Sequence, residues 1–277
     1  MIYSKINEFC KVRNNGNCFS NGTEPTPRVK FIMDLLKSEG IDFELDIFEE
    51  EEKKVYNRFP TRYIKGLRNY LKDEDDTPQN NCFFNIIMKG SSDKMIIAHH
   101  DVNNPNIDNA NDNSASVINI IATKKLRPEV NAVIVDGEEF GGIGSKHLAK
   151  QILAGKFGDI SWVLNYELTG KGGKYFFIGD YPGNLSDKIV DLFNCPIVST
   201  PFNDSVTLRR FGIDSCVINP LPPLPEGETS SVLFNDGKYL NYKMLFNCHK
   251  PVDNLSSIST NDMKEFVEEV VLKILDA

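Results

Sequence analysis

Apolar residues recur along this chain with two periods. Val29, Ile32, Met33 and Leu36 are spaced for one face of a helix, opened by Thr26-Pro27 and closed by Gly40. Pro at the first helical position and Gly just past the end are the expected punctuation of such an element. Directly afterwards Ile41, Phe43, Leu45 and Ile47 alternate with Asp42, Glu44 and Asp46. That predicts a strand with one wet face. Glu49 to Glu52 then reads as a solvated end or loop, and Asp73 to Asp76 as a second exposed acidic cluster.

From Phe83 onward short apolar runs alternate with helical patterns. Strands are predicted at Phe83 to Met88, Met95 to Ala98, Ala132 to Val135, Ser161 to Asn165, Tyr175 to Ile178 and Ser215 to Ile218. Helices are predicted at about Ser114 to Leu126, Ser145 to Leu153, Leu185 to Phe193 and Thr260 to Leu275. This alternation predicts an α/β fold: a mixed, mostly parallel central sheet with helices on both faces, the early antiparallel pair making it mixed. At 277 residues, with no repeat and no low-complexity linker, the chain reads as one domain over residues 1–277.

Composition narrows the function classes. With 40% apolar and 25% charged residues the chain can bury a sizeable core, which excludes a disordered or collagen-like protein. A net charge of −8 supplies no global positive field for phosphate backbones and argues against nucleic acid as a partner. No apolar run approaches the ~20 residues needed to span a bilayer, and Met1 to Glu8 has no signal-peptide pattern, so the expected compartment is the cytoplasm. The six cysteines (Cys10, Cys18, Cys82, Cys195, Cys216, Cys248) are dispersed without a CxxC pair. They read as free, mostly buried thiols. The prolines of Pro220 to Pro225 allow PxxP spacing, but a stiffened loop after a strand explains them more simply.

Candidate chemistry gathers at strand ends, where open α/β sheets place ligands. His99, His100 and Asp101 follow Met95 to Ala98, and Asn111-Asp112-Asn113-Ser114 forms a polar turn before a helix. Asp112 taken alone reads equally well as a helix cap. The strand Ala132 to Val135 runs into Glu138-Glu139, adjacent carboxylates that oppose each other's ionisation unless each has a task or water. Glu167 follows the strand Ser161 to Asn165, and His249 stands in an irregular stretch. Two divalent metals need a bridging carboxylate, a His and a carboxylate on each side, and a further carboxylate to move protons. Asp112 can bridge, His99 with Glu167 and Glu139 with His249 form the pairs, and Glu138 remains as base.

Five segments carry a resemblance: His99-His100-Asp101, Asn111 to Ala115, Glu138 to Ser145, Asn165-Tyr166-Glu167 and His249 to Asp253. In order and spacing they resemble the metal-site motifs of the co-catalytic dizinc exopeptidases of the bacterial leucyl aminopeptidase type. That resemblance implies His99 and Glu167 on one zinc, Glu139 and His249 on the other, Asp112 bridging both, and a cis peptide after Asp112. It also implies Glu138 as general base, Asp101 orienting His99, and N-terminal residues of peptides as substrate. Two positions depart from the family pattern. Glu167 stands where its aminopeptidases usually carry Asp, and His249-Lys250-Pro251 replaces the usual His-Thr. The same superfamily contains glutaminyl cyclases, which use a single zinc, and a non-catalytic relic is the third reading. His100 is expected to face away from the site, His147 to lie on the surface and Trp162 to sit in the core.

Overall fold

The computed structural model describes residues 2–13, 20–21, 23–51, 80–179, 181–198, 200, 203–221 and 248–277. Residues Asp73 to Asp76, Glu52, Cys18 and Pro222 to Pro225 lie outside these. The chain opens with a helical turn, Ile2–Lys5, and α1 (Ile6–Phe9). The helix expected after Thr26 is α2 (Pro27–Ser38): Thr26 Oγ1 accepts the Val29 N–H at 3.3 Å, and the apolar stripe Val29, Ile32, Leu35 and Leu36 is buried. Gly40, at φ +70°, turns the chain out of it.

Among the described residues nine strands form one sheet: β1 (Ser20–Asn21), β2 (Glu44–Glu51), β3 (Asn80–Met88), β4 (Lys94–His99), β5 (Asn131–Val135), β6 (Trp162–Tyr166), β7 (Phe176–Gly179), β8 (Ile197–Val198) and β9 (Ser215–Pro220). The spatial order is β1-β3-β5-β4-β6-β9-β7-β8, with β2 also paired to β3. The centre, β5-β4-β6-β9, is parallel, as the sequence pattern predicted, and antiparallel pairs flank it. Of the two readings of the acidic run, end or loop, the strand end holds for Glu49, Glu50 and Glu51, which complete β2 opposite Cys82, Asn81 and Asn80.

Helices cover both faces. α3 (Ala115–Leu126), α2 and the C-terminal helix (Thr260–Glu265, Phe266–Val271 and Leu272–Asp276) pack on the face carrying Ile96, Ala98, Ile134 and Leu164. α5 (Asn184–Phe193) adds Leu185 and Ile189 to the same core. The opposite face, with Met95, Ile97, Val133 and Val163, is covered by α4 (Ile143–Leu153) and α6 (Asp204–Arg210). Successive strand residues thus bury alternately into two cores, which is why β4, β5 and β6 read as continuous apolar runs. Trp162 is buried in the first core, as expected. Cys10, Cys82, Cys195, Cys216 and Cys248 are free thiols, the first, second and fourth buried. Among the described residues no helix is long and apolar enough to cross a membrane.

Candidate metal centre

Parallel pairing brings the carboxyl ends of β4, β5 and β6 side by side: His99 lies opposite Val135, and Ile97 opposite Asn165. Each strand therefore releases its next residues at the same edge of the sheet. β4 delivers His99 and Asp101, the turn after β5 delivers Glu138 and Glu139, and Glu167 follows β6. Gly137, at φ +70°, lets the chain leave β5 sharply, and Gly144 lets the first turn of α4 lie against the backbone of Asp136, where a Cβ would come within 2.3 Å of a carbonyl. Asp112 sits in a five-residue π-type turn, Ala110–Ser114, directly before α3, and the Asp112–Asn113 peptide is cis. Asp112 is not the cap of the helix that follows: the N-cap position of α3 is Ser114.

With His249, seven side chains converge. His99 Nε2 is 3.4 Å from Asp112 Oδ1 and 3.4 Å from Glu167 Oε1. His249 Nε2 is 3.1 Å from Asp112 Oδ2 and 2.9 Å from Glu139 Oε1. The two oxygens of Asp112 thus face two separate triads, His99-Asp112-Glu167 and Asp112-Glu139-His249. Glu138 joins His99 and Glu139 in a third close group. Asp101 Oδ1 stands 3.3 Å from His99 Nδ1 and accepts the Glu138 N–H at 3.1 Å, while its Oδ2 accepts the Glu139 N–H at 3.0 Å.

Five carboxylates (Asp101, Asp112, Glu138, Glu139, Glu167) meet two imidazoles in largely buried space, and the excess negative charge governs ionisation. Burial lifts the carboxyls of Glu138, Glu139 and Glu167 above their usual range, neighbouring carboxylates adding to the effect. Asp112 is held low despite its burial because both imidazoles face it. Burial alone would lower the imidazoles, but Glu167 and its neighbours raise His99 well above the ordinary value, and Glu139 with Asp112 raises His249 to about 11. Protons on these rings do what cations would do better. The Oε2 of Glu167 is buried without a hydrogen-bond partner, and the mixed carboxylate and imidazole donor set suits zinc or a similar divalent ion. The residues therefore fit a pair of divalent ions, and a dication here would oppose the rise at Glu138.

Several supporting residues carried no separate signal in the sequence. Asp253 accepts the backbone N–H of Asn111 at 2.7 Å and of Asp112 at 3.1 Å. Asn111 Oδ1 accepts the Gly170 N–H at 2.8 Å, and Asn113 donates to Tyr166 O at 3.1 Å and accepts from Leu168 N at 3.2 Å. These bonds lock the Asp112 turn to the segment bearing Glu167. Asp204, fully buried at the start of α6, is pushed up to about 7 by burial. His100 turns away from the centre, as expected, its Nε2 lying 2.9 Å from Phe84 O. His147 is corrected: it is half-buried, stacked on Phe48 with ring centroids 4.0 Å apart and 3.2 Å from Asp46, rather than a bare surface residue.

Residues 85–211 match the model of peptidase family M28, a little under half of the chain. Among curated proteins none matches this chain in sequence. The fold is shared with solved structures at low identity. An aminopeptidase from Aneurinibacillus sp. strain AM-1 aligns over 99% of this chain and 93% of its own, at 12% identity and TM-score 0.65. BSAP, a zinc aminopeptidase from Bacillus subtilis, aligns over 98% and 94% at 13% identity and TM-score 0.62. A glutaminyl cyclase from an Acidobacteriales bacterium aligns over 99% and 92% at 18% identity and TM-score 0.66.

Proposed function

From a chain that carries a peptidase family M28 segment on the fold shared by zinc aminopeptidases and glutaminyl cyclases, we propose a metal-dependent aminopeptidase that removes N-terminal residues from peptides. One observation carries the reading: the two oxygens of Asp112 face His99 at 3.4 Å and His249 at 3.1 Å, so that two complete ligand triads share one carboxylate. His99 and Glu167 would hold one ion, Glu139 and His249 the other, with Asp112 common to both. Such a pair, when bound, supplies Lewis-acid chemistry that polarises a scissile carbonyl and makes water nucleophilic near neutral pH. Glu138 takes a proton from the attacking water and returns it to the leaving amine. Asp101 fixes the backbone of both glutamates and the Nδ1 side of His99, so that base and ligand approach from set directions. The reading extends over residues 1–277 as a single catalytic unit, since Asp112 from the matched segment needs His249 and Asp253 from beyond it.

A cyclase is the second reading, favoured by the cyclase's TM-score of 0.66. Against it stands the second triad, His99-Asp112-Glu167, which a single-ion cyclase does not require. Assaying zinc-loaded protein on aminoacyl substrates and on peptides with N-terminal glutamine separates the two. Release of free amino acids supports the aminopeptidase; pyroglutamate formation without hydrolysis replaces it with the cyclase. Retention of the substrate unchanged in both assays returns the chain to a binding protein.

A further inference from the structure

Arg28, in the first turn of α2, is 1% exposed, its guanidinium enclosed by Phe9, His100 and Ser114. Burying such a charge is costly, and an apolar side chain of similar shape would pack a helix against a core more cheaply. The position of its donors suggests what the burial achieves. Nε donates to the carbonyl of His100 at 3.1 Å, the residue between His99 and Asp101. Nη2 donates to the hydroxyl of Ser114 at 2.9 Å, in the same π-type turn as Asp112. The face of the Phe9 ring lies 4.2 Å from Cζ and holds the guanidinium plane. Its charge is also felt by Asp101 and Asp253, the two carboxylates that grip the backbone of Glu138, Glu139, Asn111 and Asp112.

We propose that Arg28 is a positioning residue of the metal centre: one rigid fork that ties the His99–Asp101 segment to the Asp112 turn and so sets the spacing between ligands of the same ion. The inference rests on the two-ion reading above. A planar fork holds its two donors in fixed, divergent directions towards the two segments, whereas a lysine ends in one compact ammonium on a flexible stem and does not reproduce that geometry. Nearby, Arg13, just beyond α1, pairs at 2.7 Å with Asp108, two residues before the Ala110–Ser114 turn.

Pure electrostatics predicts the opposite of positioning, which makes the idea testable. A cation near a dication repels it, so removing the charge should tighten metal binding if field alone matters. Zinc affinity of wild type, Arg28→Gln, Arg28→Lys and Ser114→Ala is measured by competition with a chromophoric chelator, alongside the melting temperature of each metal-free protein. Positioning predicts zinc affinity weakened by ~10–100-fold in Arg28→Gln and Arg28→Lys, and in the same direction in Ser114→Ala. Unchanged affinity with a lowered metal-free melting temperature overturns it in favour of simple packing, and tighter binding overturns it in favour of the field. Should Arg28→Gln fail to fold, Ser114→Ala decides, because it cuts one prong and leaves the guanidinium in place; wild-type affinity there overturns the proposal. Wild-type protein that takes up no zinc overturns the two-ion reading and this inference together, whereas two bound ions with unaffected variants overturn this inference alone.

Discussion

Asp253 accepts the backbone N–H of Asp112 at 3.1 Å, so the residue four places after His249 holds the turn that faces His249. The proposed ligand and the support of its partner turn thus come from one short stretch of chain. Asp253→Asn keeps the size but replaces one acceptor oxygen by an NH2 group, leaving one of the N–H groups of Asn111 and Asp112 facing a donor. Zinc affinity should fall by ~10–100-fold, measured by chelator competition. Wild-type affinity in the variant would show that the turn holds its shape unaided.

The proposed function gives the adjacent glutamates separable roles. Glu138→Gln removes the basic oxygen while keeping shape, so zinc content should hold and turnover on an aminoacyl substrate should fall by ~10²–10⁴-fold. Near-normal turnover would remove Glu138 from the mechanism.

Glu139→Gln should instead weaken one ion, because a neutral amide is a poor ligand for a dication. Its activity should recover in part with excess zinc, and that of Glu138→Gln should not. Equal zinc dependence of the two variants would contradict the assignment.

The metal-free protein should show a pH dependence of stability traceable to Asp204. Burial raises its carboxyl from the ordinary value of 3.8 to about 7. A raised acid favours the folded state while protonated, so this contribution is complete below about pH 4 and is lost as pH climbs through about 7. In the chelator-treated protein, Asp204→Asn should flatten the fall in melting temperature across that window and raise the value at pH 8. An unaltered pH profile would mean that Asp204 is solvated or paired in the metal-free state.

Much of the fold, and the convergence of most residues of the candidate site, were legible in the sequence for specific reasons. β4 and β5 are buried on both sides, so Met95 to Ala98 and Ala132 to Val135 stand out as unbroken apolar runs. Each runs directly into its polar residues, which marks His99 and Glu138-Glu139 as strand-end groups. The extent of β2 was left open, because Glu49 to Glu51 carry no apolar alternation to tell a strand's end from a loop. α6 was missed because it has seven residues and ends in Arg209-Arg210, leaving little apolar period to see. Arg28, Asp253 and Asn113 act on backbone groups far away in sequence, and nothing in their neighbours announces a partner 141 residues distant such as the Asp112 amide for Asp253.

The central claim is that Asp112 joins two metal sites, and metal stoichiometry tests it most directly. Protein stripped with chelator, reloaded with zinc and freed of excess should contain two zinc ions per chain by elemental analysis, with two anomalous peaks flanking Asp112 in a crystal. His249→Ala should retain one ion, held by His99, Asp112 and Glu167. A single ion per wild-type chain under zinc-replete conditions would contradict the account and leave the cyclase-like reading in its place.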